Sequence, residues 1–126
     1  MNQLNIPEGH QTVMPYLIVK DANGFLQFTQ KVFDAKETCK AMRDESTIMH
    51  AEIIINGSTI MFADSTEKIP PQTAGMFIYV PDADKTYKKA VDAGATTVME
   101  LSDQSYGRTC GVNDPCGNSW WITSVK

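Results

Sequence analysis

The stretch that decides the fold is Tyr106-Gly-Arg-Thr-Cys-Gly-Val-Asn-Asp-Pro-Cys-Gly-Asn-Ser-Trp-Trp121-Ile-Thr. An apolar-leaning run enters the segment Asn113-Asp-Pro-Cys-Gly-Asn118, and a second run with two tryptophans leaves it. Proline restricts φ in that segment and glycine frees it, so the whole reads as strand, turn and strand. Sixty residues earlier stands Met49-His-Ala-Glu-Ile-Ile-Ile-Asn-Gly-Ser-Thr-Ile-Met61-Phe, a second hairpin across Asn56-Gly57. Asn-Gly is the strongest two-residue turn signal. A shift of 60 sets Gly57 on Gly117, Ile60 on Trp120, Met61 on Trp121 and Phe62 on Ile122.

Outward from the two hairpins the order of elements repeats as well. Thr12 to Lys20 is rich in β-branched and aromatic residues and reads as a strand, with Pro15 near an edge or bulge. Asp21 is a candidate N-cap for a helix to about Phe33, whose stripe is Phe25, Leu26, Phe28, Val32 and Phe33. Glu37 to Asp44 is a weaker strand before a loop to Thr47. In the second half Gly75 to Val80 is a strand, Asp82 caps a helix through Ala93, and Gly94 stops it. Thr96 to Leu101 is a strand and Ser102 to Ser105 a loop. Val19-Lys-Asp21-Ala matches Val80-Pro-Asp82-Ala at a shift of 61. Residues 1–11 read as a lead-in, and Pro70-Pro71 marks a linker. The expected fold class is α+β: two βαβββ modules in tandem, forming curled mixed sheets around a cleft. Module one spans about 10–64, the linker 65–73 and module two about 74–126, all in a single domain over 1–126. The linker is long enough for the modules to pair within a chain or across a dimer.

Strand alternation sorts the side chains between a helix-bearing face and a cleft face. Leu17 and Val19 go with the helix, so Met14, Tyr16 and Ile18 face the cleft, and the repeat carries this to Gly75, Phe77 and Tyr79. Met49, Ala51, Ile53 and Ile55 go to the helix, which leaves Ile48, His50, Glu52 and Ile54 on the cleft side. A constant shift then places Arg108, Cys110 and Val112 in the cleft too. Met61 and Trp121 face the cleft, while Ile60, Phe62, Trp120 and Ile122 face the helices. The expected ligand-binding set is Met14, Tyr16, His50, Glu52, Met61, Phe77, Tyr79, Arg108 and Trp121. An apolar, aromatic concavity with a few polar points has the character of a small-molecule pocket. His50, Glu52 and Arg108 would be costly in a dry core without partners.

Composition narrows the classes. A chain of 126 residues with 42% hydrophobic and 21% charged residues is ordinary for one globular domain. The net charge of -4, with no basic cluster beyond Lys88-Lys89, argues against a nucleic-acid surface. No run approaches a membrane span and the first residues are too polar for a signal peptide, so the expected location is the cytoplasm. Cys39, Cys110 and Cys116 are an odd count with no CxxC spacing, so no disulfide framework is expected.

Thr12-Val-Met-Pro-Tyr-Leu-Ile-Val-Lys-Asp21, Met49-His-Ala-Glu52, Ile60-Met-Phe-Ala-Asp64, Tyr79-Val-Pro-Asp82, Ala93-Gly-Ala95 and Tyr106-Gly-Arg followed by Asn113-Asp-Pro-Cys-Gly-Asn-Ser-Trp120 together resemble the vicinal oxygen chelate superfamily. That superfamily holds glyoxalase I, bleomycin-resistance proteins and extradiol dioxygenases, and the chain looks most like its PhnB-like glyoxalase branch. The resemblance covers nearly the whole chain. It implies paired βαβββ modules enclosing a cleft, and a homodimer. It also implies a divalent metal held at four related strand positions, which fall here on Met14, Met61, Gly75 and Trp121. None of these offers a hard oxygen or an imidazole, so no metal is expected at the usual centre.

Other chemistry can be assembled from the same face. His50 and Glu52 lie two apart on one strand, about 7 Å by strand rise, and with His10 would make a relocated divalent-metal site. Cys110 beside Arg108 is a candidate nucleophile if His50 approaches it, against the plainer reading of a buried inert thiol. Cys39 has no partner that the sequence suggests. Two functions from different classes follow. One is a metal-free protein that binds an aromatic or amphipathic small molecule, with Arg108 meeting an anionic group. The other is a glyoxalase-type lyase or isomerase using a displaced metal or His50 and Glu52 as acid and base. A cleft without function, with only the dimer mattering, is the third reading.

Overall fold

The computed structural model describes residues 3–125; Met1, Asn2 and Lys126, the extremes of the expected lead-in and second module, lie outside them. The first half runs β1 (Tyr16–Val19), α1 (Ala22–Phe33), β2 (Lys36–Met42), β3 (Ile48–Ile55) and β4 (Ser58–Asp64). The second runs β5 (Gly75–Tyr79), α2 (Ala83–Asp92), β6 (Thr96–Gln104), β7 (Gly107–Asn113) and β8 (Ser119–Ser124). Each half is a four-stranded sheet, ordered β1-β4-β3-β2 and β5-β8-β7-β6. β1 is parallel to β4 and β5 to β8; the other pairs are antiparallel. This is the expected tandem βαβββ architecture.

The local signals act as their chemistry demands. The Asp21 carboxylate accepts from Gly24 N at 2.9 Å and that of Asp82 from Lys85 N at 3.1 Å, so each caps a helix start. Asn56 and Gly57 both take positive φ, 44° and 90°, as a two-residue hairpin turn of matching twist requires. Pairing of β1 begins one residue past Pro15, whose carbonyl accepts from Met61 N, so this strand starts four residues later than its composition suggests. β6 continues through 102–104, where a loop was expected. There Ser102, Asp103 and Gln104 pair with Thr109, Arg108 and Gly107 along an edge exposed to water, which lets a strand be polar on both faces.

Two registers differ from the expectation and change which side chains share a face. Ala41 pairs with His50 but Met42 pairs with Ile48, so Met49 is the extra residue of a bulge. Ile48 therefore enters the core at 1% exposure, while Met49 is 50% exposed, the reverse of strict alternation. In the second half, Trp121 pairs with Gly111 where Met61 pairs with Glu52, so β7 matches β3 at a shift of 59. The cause is the turn. Asp114 N bonds Asn118 O and encloses three residues, whereas β3 and β4 join through only Asn56 and Gly57. One extra residue turns the whole of β7 over relative to the constant shift.

The two halves meet through their helix-bearing faces. Leu17, Val19, Phe25, Val32, Ile53, Phe62, Ala90, Val112, Trp120 and Ile122 belong to one continuous buried core. The Trp120 ring lies 4.5 Å from Phe33 and 6.4 Å from Phe25, both on α1, so a second-half tryptophan is buried by the first-half helix. A 12-residue and a 10-residue helix each cover only part of a four-stranded sheet, and the other module covers the rest. The opposite sheet faces therefore do not close a cleft within one chain; of the two pairings the sequence left open, the one within a chain is not formed. Tyr16, Phe77 and Tyr79 on those faces are 47%, 49% and 64% exposed.

Candidate functional site

The open face of the first sheet is polar. Pairing aligns Tyr16, Met61, Glu52 and Cys39 in one row across β1, β4, β3 and β2. His50 stands beside this row, and its Nδ1 lies 3.0 Å from the Tyr16 hydroxyl. The other ring nitrogen, Nε2, is 2.8 Å from Glu52 Oε2, and His10 Nε2 reaches Glu52 Oε1 at 2.7 Å. The carboxylate thus accepts from two imidazoles at once. The His50 hydrogen bond, and then that of His10, hold the Glu52 carboxyl below the ordinary glutamate range. With Nε2–H given to Glu52, His50 Nδ1 is the acceptor for the Tyr16 phenol. A phenol backed by an imidazole and a carboxylate can donate to, or take a proton from, a bound polar group.

His10 is ahead of β1 yet fixed in place. On one side Thr59 Oγ1 donates to the Gly9 carbonyl, and on the other Gln11 Nε2 donates to Thr59 O at 2.9 Å. Met14 is half-buried two residues before Tyr16. Cys39 completes the group: its Sγ and ligand atoms of His50 and Glu52 all lie within 4.8 Å of one another. A register shift between Glu37 and Cys39 makes Thr38 the extra residue and puts Cys39 opposite Glu52. That shift has no signature in the sequence, which is why Cys39 was without a partner there.

The open face of the second sheet is aromatic. Phe77, Trp121 and Gly111 stand in the row equivalent to Tyr16, Met61 and Glu52. A Cβ at Gly111 would lie 2.4 Å from the indole Cζ3 of Trp121, so the bare glycine lets the indole lie flat across β7. Phe77 packs edge-on to Tyr79 at 5.1 Å and lies 6.2 Å from Tyr106. Tyr106, at the β6–β7 turn, is an addition to the expected set; a turn aromatic carries no face information in the sequence. Two grooves of about 440 and 700 Å³ run along the seam beside β5 and the β3–β4 turn, and neither includes Tyr16, His50 or Glu52.

Arg108 and Cys110 are not on this face. The turned register of β7 sends both to the helix side. Arg108 Nε bonds Asp84 of α2 at 3.0 Å, with Asp103 at 3.6 Å from its Nη1. Cys110 is fully buried in the core, and burial pushes its thiol up to about 11. His50 stands on the opposite side of the other sheet, so a Cys110–His50 pair does not form.

Paired βαβββ sheets with a helix on one face and an open face on the other define a glyoxalase-like fold. Residues 9–122 match the model of the Glyoxalase/Bleomycin resistance protein/Dioxygenase superfamily, and the chain belongs to that superfamily. An uncharacterized protein of Mycobacterium bovis is 34% identical over 118 residues, covering 84% of this chain and 78% of its own length. Among solved structures, a PhnB protein from Bacillus cereus, described as a putative 3-demethylubiquinone-9 3-methyltransferase, superposes with a TM-score of 0.77 at 21% identity. It covers 91% of this chain and is itself covered completely. The fosfomycin resistance protein FosX of Listeria monocytogenes superposes at 0.67 with 17% identity, over 92% of this chain and 93% of its own. These likenesses are of fold. At the four positions the resemblance assigns to a metal, the structure has Met14 before β1, Met61 on β4, Gly75 opening β5 and Trp121 on β8. Two thioethers, an indole and a hydrogen do not make a site for a hard or borderline divalent ion, so the residues do not fit the family metal. Among the described residues no helix is long and apolar enough to cross a membrane.

Proposed function

We propose that this chain binds an aromatic or amphipathic small molecule between two copies of itself, without a metal at the four family positions. The observation that carries this reading is the placement of two complementary faces that never meet within one chain. The aromatic face of Phe77, Tyr79, Tyr106 and Trp121 supplies stacking area. The Tyr16–His50–Glu52 face supplies directional hydrogen bonds. A two-fold dimer sets the aromatic face of one copy over the polar face of the other, making two equivalent sites. Superfamily relatives such as a fosfomycin resistance protein support a small-molecule ligand.

The test is titration with 1-anilinonaphthalene-8-sulfonate, a flat aromatic anion, with mass measured by light scattering. A dimer with one saturable site per chain is expected, and Trp121→Ala is expected to weaken binding about 10-fold, the loss of one stacking contact of about 1.4 kcal/mol. A monomer, or binding indifferent to Trp121→Ala, would overturn the reading. The Tyr16–His50–Glu52 chain favours a second reading, a glyoxalase-type lyase or isomerase using these groups as acid and base. It requires turnover that disappears in both His50→Ala and Glu52→Gln.

A further inference from the structure

The geometry points to a borderline transition-metal site, of the zinc or cobalt(II) kind, built from His10, Cys39, His50 and Glu52. It lies on β2, β3 and the segment before β1, apart from the four family positions. Three observations converge on it. First, two imidazole Nε2 atoms already approach opposite oxygens of one carboxylate, at 2.7 and 2.8 Å, and a thiol sulfur lies within 4.8 Å of the His50 and Glu52 donors. Donors around a tetrahedral ion at 2.0–2.3 Å stand roughly 3.3–3.8 Å apart. The Cys39, His50 and Glu52 donors reach that spacing by shifts of about 1 Å or less, whereas His10, which is not among the donors within 4.8 Å of one another, must swing inward from its contact with Glu52 Oε1. Partly exposed side chains can do this by small torsions.

Second, the supporting contacts are in place. The Tyr16 hydroxyl sits 3.0 Å from His50 Nδ1, the position from which metal-bound histidines are ordinarily oriented. On binding, His50 takes the tautomer with Nδ1–H donated to Tyr16, freeing Nε2 for the ion. His10 is pinned on both sides through Thr59. Third, the bulge at Thr38 aims Cys39 across the strand pair at Glu52, which unbroken alternation from Glu37 does not do. Coordination releases the thiol proton to solvent, and thiolate plus carboxylate balance a divalent cation with no charge left over. One thiolate, two imidazoles and one carboxylate suit zinc and cobalt(II) and do not suit magnesium or calcium. The inference is independent of the ligand-binding reading, since metal uptake requires no organic ligand.

Untagged full-length protein is stripped of metal and titrated with cobalt(II), with zinc uptake measured after dialysis by inductively coupled plasma mass spectrometry. About one equivalent per chain is expected, with tetrahedral visible bands and a thiolate-to-cobalt charge-transfer band in the near ultraviolet. Cys39→Ser removes the charge-transfer band. His50→Ala and Glu52→Gln abolish stoichiometric uptake, Tyr16→Phe weakens it about 10-fold, and Cys116→Ser changes nothing. Circular dichroism confirms that each variant is folded; for one that is not, binding by the folded Cys39→Ser protein decides. Less than about a tenth of an equivalent in the wild type would sink the proposal. So would a full equivalent whose thiolate band survives Cys39→Ser.

Discussion

Asp64 holds three elements together, and the effect of removing its carboxylate can be worked out in advance. Its Oδ1 accepts from Ala22 N at 2.8 Å, the first residue of α1, and its Oδ2 from Ile48 N at 2.6 Å, the first residue of β3. The residue is 7% exposed, so water cannot replace these bonds. Asp64→Asn keeps one carbonyl oxygen but turns an NH2 group toward the other buried N–H. One charge-assisted bond is lost, about 1.5–3 kcal/mol, and a buried donor is left unpaired, about 1–3 kcal/mol. A net loss of about 3–5 kcal/mol is expected, a large share of a typical domain's stability. With a urea m-value of about 1.5 kcal/mol/M for a chain of this size, the midpoint falls by roughly 2–3 M. Ser124 stands at the equivalent position in the second half and accepts from Ala83 N at 3.2 Å. Asp64→Ser, which can satisfy Ala22 N alone, also leaves Ile48 N buried without an acceptor and should cost at least as much as Asp64→Asn. Urea unfolding followed by far-ultraviolet circular dichroism measures both. An Asp64→Asn midpoint corresponding to less than about 0.5 kcal/mol of change would refute the argument, since that is the scale of an ordinary surface substitution.

Other outcomes follow from the same geometry. Gly111→Ala places a Cβ where the Trp121 indole lies, so the ring must tilt away; near-ultraviolet circular dichroism should change and anilinonaphthalene-sulfonate affinity fall about as far as in Trp121→Ala. Unchanged spectra and affinity would show that the indole is not held there. Because the folded Glu52 carboxyl titrates below its ordinary value of 4.5, its stabilising share is present above 4.5 and disappears as pH falls through the lower, folded value. Urea midpoints taken across that acid range should show a steeper fall for wild type than for Glu52→Gln, and parallel curves would remove the basis for the His10–Glu52–His50 network. Iodoacetamide should label exposed Cys39 first in the native protein, with Cys110 and Cys116, both pushed up to about 11 by burial, reacting only on unfolding; mass spectrometry of peptides reads the order.

Much of the architecture was legible because it rests on local chemistry. Asp21 and Asp82 cap helices with their own side chains, and Asn56-Gly57 needs no tertiary context to turn. Tyr16, His50 and Glu52 were placed on one face by simple alternation along β1 and β3. What alternation does not contain is an inserted residue. Met49 exchanges places with Ile48 because Asp64 draws Ile48 N inward and the strand bulges past it. Arg108 and Cys110 lie on the wrong side of the prediction because one residue was added to a turn several positions away. The polar strands β2 and β6 are edges, where no buried face imposes a pattern. Nor could the sequence tell that the modules pack back to back. That choice depends on Trp120 finding Phe25 and Phe33, a contact between distant elements.

The added residue in the β7–β8 turn has a consequence for how such a protein can change over generations. Inserting one codon between Asp114 and Asn118 alters no side chain in β7, yet it decides which half of that strand's residues lies on the open face of its sheet. A gene duplicated into two like modules can acquire two unlike surfaces in one such step, a glutamate on one and a bare glycine under an indole on the other. Point substitutions at seven strand positions would be needed to reach the same end. Length variation in this turn is therefore the coarse control on what the open face of the second sheet carries, and substitution within β7 the fine one.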